Sequence, residues 1–243
     1  MAYGVLAAAL VGYLVVVTPS LGKRTYDRLV RDRDRDPGAL VRLYRLWIGE
    51  TWAVTAVALV VAWLTPGLDA ARIGLRLDGG TSLIVGALAG LVLGMAISAL
   101  AARKAPGGGL PFWPSPRATA VAYAALLPRT SAERWHAVAM SVTAGVCEEI
   151  VYRGVLIALG THLLGLPVPA AAALALAVFV IGHLYQGVRG MVMVAVAGIS
   201  LTLLYLNTGS LLLPVLVHIA VDLRSLAFPP HGEPREAATT VSR

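Results

Sequence analysis

Apolar runs close to the length of a bilayer crossing recur along almost the whole chain, and they constrain its fold more than any other feature. A helical crossing takes about 20 mostly apolar residues. In hydrocarbon every backbone N–H and C=O must be bonded within the segment, so such runs fold as helices. Residues 2–21, 47–64, 83–102, 131–160, 169–185, 191–206 and 211–228 read as seven spans. Of the 243 residues, 58% are hydrophobic and 14% charged, against roughly 25% charged in an ordinary soluble domain. The expected fold is therefore all-α, a polytopic transmembrane helix bundle. Its helix from residue 131, with Ser131 as N-cap, exceeds one crossing, so its first turns should project into solvent. The run 118–127 is too short to span and reads as interfacial or re-entrant.

The net charge of +7 does not mark a nucleic-acid partner. The basic residues sit in the connections, without interleaved aromatics, and this is a topology signal. With the N-terminus outside and the 22–46 connection cytoplasmic, seventeen of the twenty Lys and Arg fall inside. Arg72 and Arg76 fall outside and Arg153 lies within the membrane. The expected location is a bacterial plasma membrane, with the C-terminus cytoplasmic and the bilayer as one partner. The first run lacks a basic n-region and reads as a retained helix. The alternating RDRDRD at 31–36 reads as a solvated, locally neutral strip with no binding role. Trp47, Trp52, Trp63 and Trp113 fall near span ends and read as interface anchors. Cys147, the single cysteine, excludes an internal disulfide framework. The chain divides into N-terminal spans with a basic connection (1–117), a second bundle (118–228) and a polar, Pro-containing tail (229–243).

Ionisable groups interrupt the later runs. An ionised side chain at mid-membrane costs about 2.5–3.5 kcal/mol on insertion scales and marks function by default. Glu148 and Glu149 are adjacent, about 100° apart on a helix, so they serve different purposes. Glu149 stands four residues before Arg153, the spacing at which Glu and Arg pair on one face, which assigns both to structure. Glu148 has no partner on its own helix. It must find one on another helix or be protonated, and a carboxylate so placed suits a general base acting on water. His183 follows Phe179 by one turn. His218 and Asp222 share a face at i,i+4, so Asp222 either orients or charge-balances His218 or, if protonated, joins it in donating to an oxyanion. Pro214, one turn before His218, is expected to kink that helix and free a carbonyl. His136, His162 and His231 read as bystanders.

Taken in order, Glu148-Glu149-x-x-x-Arg153, Phe179-x-x-x-His183 and His218-x-x-x-Asp222 resemble the motifs of the CPBP family, the CaaX proteases and bacteriocin-processing enzymes also called Abi. The turn Asn207-Thr-Gly-Ser210 is also similar to the family, and the resemblance covers about residues 118–228. It implies a helix bundle enclosing a polar cavity and an endopeptidase activity in the membrane. It also implies that Glu148 and His183 activate water while His218 and Asp222 steady the tetrahedral intermediate. The family's last position is Asn or Asp, and Asp here makes orientation more natural than donation. Two cofactor readings stay open: no metal, or a zinc ion held by Glu148, His183 and His218 with a position left for water. No HExxH is present.

The expected function is thus an intramembrane endopeptidase acting on a peptide or membrane-protein substrate. Two rivals belong to other classes. A non-catalytic immunity or scaffold protein would use the cluster to bind a peptide. A proton-coupled transporter would use it as a relay, but it would favour internal repeats, and none is visible.

Overall fold

The computed structural model describes residues 2–76 and 124–228. Everything regular among them is helical. α1 (Ala2–Gly12) runs through a π-helical stretch (Tyr13–Val17) into α2 (Thr18–Asp32), and a tight turn leads to α3 (Ala39–Leu64). After a 3-10 turn at Ala124–Leu126 comes α4 (Ser131–Glu148), continued by a second π stretch (Glu149–Leu156) and α5 (Ile157–Leu163). α6 (Val168–Gly182), α7 (Gly187–Thr208) and α8 (Leu212–Asp222) follow, and a third π stretch (Leu223–Ala227) closes the bundle.

Among the described residues, three helices are long and apolar enough to cross a membrane: Tyr3–Asp32, Ala39–Leu64 and Leu184–Thr208. Val168–Gly182 is a shorter apolar helix. The seven expected spans are therefore not recovered among the described residues. The run at 83–102 and the tail 229–243 lie outside those residues, and so do Trp113 and most of 118–127. α8 has only 11 residues. The helix through Glu148 carries three charges in six residues. Two of these charges, Glu149 and Arg153, are buried against protein rather than set facing lipid.

Several local expectations change. The basic connection is not a loop, because helix α2 runs on to Asp32 and α3 begins at Ala39. Arg33, in the strip expected to stay solvated, is 5% exposed. It donates from Nη1 and Nη2 to the two oxygens of Glu133 at 2.7 and 2.9 Å. The N-cap of α4 is Thr130, whose hydroxyl accepts from the Glu133 N–H. That is one residue before Ser131, and it matches the Thr-x-x-Glu signature of a capped start. Pro214 stands in the first turn of α8, where no intrahelical N–H is required, so it neither kinks the helix nor frees a carbonyl. Trp47 is buried at 8% exposure and donates to Thr25, so it packs the core; Trp52 and Trp63 are exposed.

Two apolar clusters fill the interior. One joins α1, α3, the second π stretch and α6 around Leu10, Val61, Val155 and Phe179. The other joins α2, α3 and α4 around Leu29, Leu40, Tyr44 and Ala137. The motif residues meet where α4, α6 and α8 converge. Gly145 permits that approach, because a Cβ there would lie 2.9 Å from the backbone nitrogen of Ile219, the neighbour of His218. The turn into α8 uses Gly209 at φ +64°, a left-handed cap that suits glycine. Ser210 Oγ then donates to the Arg76 carbonyl at 2.7 Å.

Candidate active site

Glu148 ends α4, and Glu149 and Arg153 lie in the π stretch that follows. Such wide turns cluster at functional sites because they redirect side chains within a continuous helix. Glu149 is fully buried and Arg153 2% exposed. Arg153 Nη1 donates to Glu149 Oε1 at 2.9 Å. Its remaining donors reach Thr202 Oγ1 at 3.4 Å and the Gly198 carbonyl at 3.3 Å, both on α7. Its guanidinium also sits 4.4 Å above the Phe179 ring.

Phe179 is the hub of the three motifs. Its ring lies 4.7 Å from His183 and 6.4 Å from His218, edge-on to the latter. His183 caps α6, and its Nδ1–H donates to the Phe179 carbonyl at 2.9 Å. His218 Nδ1–H donates to Glu149 Oε1 at 2.7 Å. One Glu149 oxygen therefore holds both Arg153 and His218. This gives Glu149 a task the sequence does not reveal: it fixes the His218 ring so that Nε2 points away from it.

His218 Nε2 lies 3.8 Å from Glu148 Oε2 and 3.8 Å from Asp222 Oδ2. Both separations are too long for a hydrogen bond. Asp222 therefore flanks the ring from one helical turn away and does not clamp it. Among the described residues, Glu148 Oε2 is buried with no hydrogen-bond partner, as is Glu149 Oε2. A buried carboxylate oxygen without a donor costs about 1–3 kcal/mol or more, so a fold that keeps two of them has open valences directed at something else. No hydrogen bond or ion pair joins Glu148 to His183.

Glu148 opens onto a cavity of about 50 Å³, whose lining includes Glu50, Thr51, Cys147 and Tyr152. At about 10–15 Å³ per water on this measure, the space holds a few waters. Glu50 is a site residue that the sequence reading passed over. It is an ionisable group inside the 47–64 run, and the rule that singled out Glu148 applies to it equally. No motif draws attention to it.

Among the described residues, no three His, Cys, Asp or Glu side chains are grouped to hold a metal ion. His183 and His218 each commit one ring nitrogen to a protein acceptor. Glu148, His183 and His218 do not form such a group in this arrangement.

Residues 130–224 match the family model for the type II CAAX prenyl endopeptidases, Rce1-like. This is the CaaX-protease family that the three motifs resemble, and the matched segment contains all of them. No curated protein matches the chain, and no solved structure does.

Proposed function

We propose that this integral membrane protein, whose residues 130–224 match a CaaX-protease model, is an intramembrane endopeptidase hydrolysing a peptide bond near a membrane surface. The observation that carries the proposal is Glu148, a residue that lines the cavity and whose Oε2, buried and unpartnered among the described residues, lies 3.8 Å from His218 Nε2. A general base needs such a free acceptor within reach of water. Glu148 takes a proton from water, with His183 on the neighbouring helix assisting. The resulting hydroxide adds to the scissile carbonyl, and the oxyanion forms against His218 Nε2. Because Nδ1–H is committed to Glu149, donation from Nε2 makes the ring an imidazolium, with Asp222 and Glu148 as its nearest countercharges. Glu148 then passes its proton to the leaving amine. No step runs through a metal. The basic residues flanking the spans support an N-terminus outside and a C-terminus in the cytoplasm. The family description supports a prenylated CaaX peptide as the first substrate to try.

The test uses full-length protein purified in detergent. Wild type, Glu148→Gln and Glu149→Gln are given a farnesylated CaaX peptide and a random-sequence peptide pool, with new termini read by mass spectrometry. Glu148→Gln should lose about 10²–10⁴-fold in turnover while keeping its unfolding midpoint. Turnover equal to wild type would sink the assignment and favour a peptide-binding scaffold.

A further inference from the structure

Glu50 lies outside the matched segment 130–224, yet it lines the same cavity as Glu148. Two hydroxyls hold it. Tyr13 Oη donates to Glu50 Oε1 at 3.2 Å, and Thr18 Oγ1 donates to the same oxygen at 3.4 Å. Tyr13 and Thr18 are five residues apart, which in a regular α-helix would leave them on different faces. The π stretch Tyr13–Val17 closes the bond from the Thr18 N–H to the Tyr13 carbonyl and brings both side chains round to Glu50. A wide turn in the first helix therefore builds a clamp on one oxygen of one carboxylate. Neither clamping bond uses Oε2.

Glu148 lines that cavity too, and among the described residues its Oε2 is buried without a hydrogen-bond partner. A water between Glu50 and Glu148 has two hydrogens to place and two carboxylates to receive them. A water held by both hydrogens turns its lone pairs outward, towards an approaching carbonyl.

We infer that Glu50 is a further catalytic group of this site, accepting the second hydrogen of the water that Glu148 deprotonates. One O–H proton passes to Glu148 and the new C–O bond forms from the freed electron pair. The other hydrogen stays on the hydroxyl, bonded to Glu50, which neither gains nor loses a proton. The N-terminal helices thereby supply part of the machinery, and the matched segment alone is an incomplete site. The inference rests on the endopeptidase reading.

The experiment compares wild type, Glu50→Gln, Glu50→Ala, Tyr13→Phe and the control Glu148→Gln, all full length in detergent, on the same farnesylated peptide and peptide pool. In Glu50→Gln, kcat should fall about 10²-fold, the cost of a misplaced reactant, with KM and the unfolding midpoint unchanged. Tyr13→Phe should fall less. Added formate should restore part of the activity of Glu50→Ala, because it fills the gap with a carboxylate, and a merely structural role would show no such rescue. Wild-type kcat in Glu50→Gln, or a Glu50→Ala protein that is destabilised and deaf to formate, overturns the role of Glu50 and leaves the protease intact. If no turnover depends on Glu148, the endopeptidase reading and this inference fail together.

Discussion

Two buried charge clusters sit among the described residues, and they are finished differently. In the first, Arg33 and Glu133 meet with side chains 4% and 2% exposed. Arg33 also donates to the Ala125 and Leu127 carbonyls at 3.0 and 3.1 Å, and Tyr44 Oη takes the Leu126 carbonyl between them at 2.6 Å. The Arg129 N–H completes Glu133 at 2.6 Å. Both carboxylate oxygens are in use. In the second cluster Arg153, Glu149 and His218 are bonded, yet one oxygen each of Glu148 and Glu149 is left without a donor. A buried ion pair that serves structure has its valences filled, because each empty one costs stability. Open acceptors inside an otherwise satisfied fold mark where chemistry is done.

That contrast can be broken most sharply at the closed cluster. Arg33→Met leaves Glu133 buried and unpaired and should cost about 3–5 kcal/mol, whereas pairing it with Glu133→Met should recover most of that. Thermal unfolding in detergent reads both. A single variant as stable as wild type would mean that the closed cluster is not structural. A smaller effect is expected at Gly145→Ala, where the new Cβ meets Ile219 at 2.5 Å from a side-chain carbon and 2.9 Å from the backbone nitrogen. Overpacking of this kind costs about 1–3 kcal/mol. It should also lower turnover per folded molecule, since α8 carries His218. Full turnover would show that the helices can part without disturbing the site.

The mildest probe is acid. Glu133 lies in the first turn of α4, outside the three candidate spans. Burial alone would push its carboxyl up. The Arg33 hydrogen bonds, the Arg129 and Thr130 N–H groups and the Arg33 charge outweigh this and hold it below its ordinary 4.5. A lowered folded value means that Glu133 contributes stability fully above pH 4.5 and loses it as the pH falls through the folded value. Wild type should therefore lose stability on acidification below pH 4.5 more steeply than Arg33→Met. Parallel pH profiles would contradict the pairing.

The motif residues other than Phe179 were legible because each is an ionisable group in an apolar run, which sequence displays directly. The all-helical character was legible for the same reason. Glu149 as the holder of His218 was not, because i,i+4 spacing sees only partners on the same helix, and this pair is separated by 69 residues. Arg33 was misread as solvated strip because its partner stands 100 residues away, and nothing periodic links them. Glu50 was legible in principle, but a lone carboxylate outside any motif went unweighed. The three π stretches leave no mark in hydrophobic periodicity, although two of them shape the residues around the cavity.

A π stretch is a helix carrying more chain than its regular hydrogen bonds need. Excising a single residue from Glu149–Leu156 would let the backbone settle into an ordinary helix. A cut before Arg153 would also turn everything beyond it by about 100°, swinging Arg153 away from Thr202 and Gly198 on α7. The surplus residue therefore works like an offset tooth in a gear. It keeps two lengths of one rod facing different neighbours, and a one-codon deletion there would mesh the helix perfectly while disengaging the site.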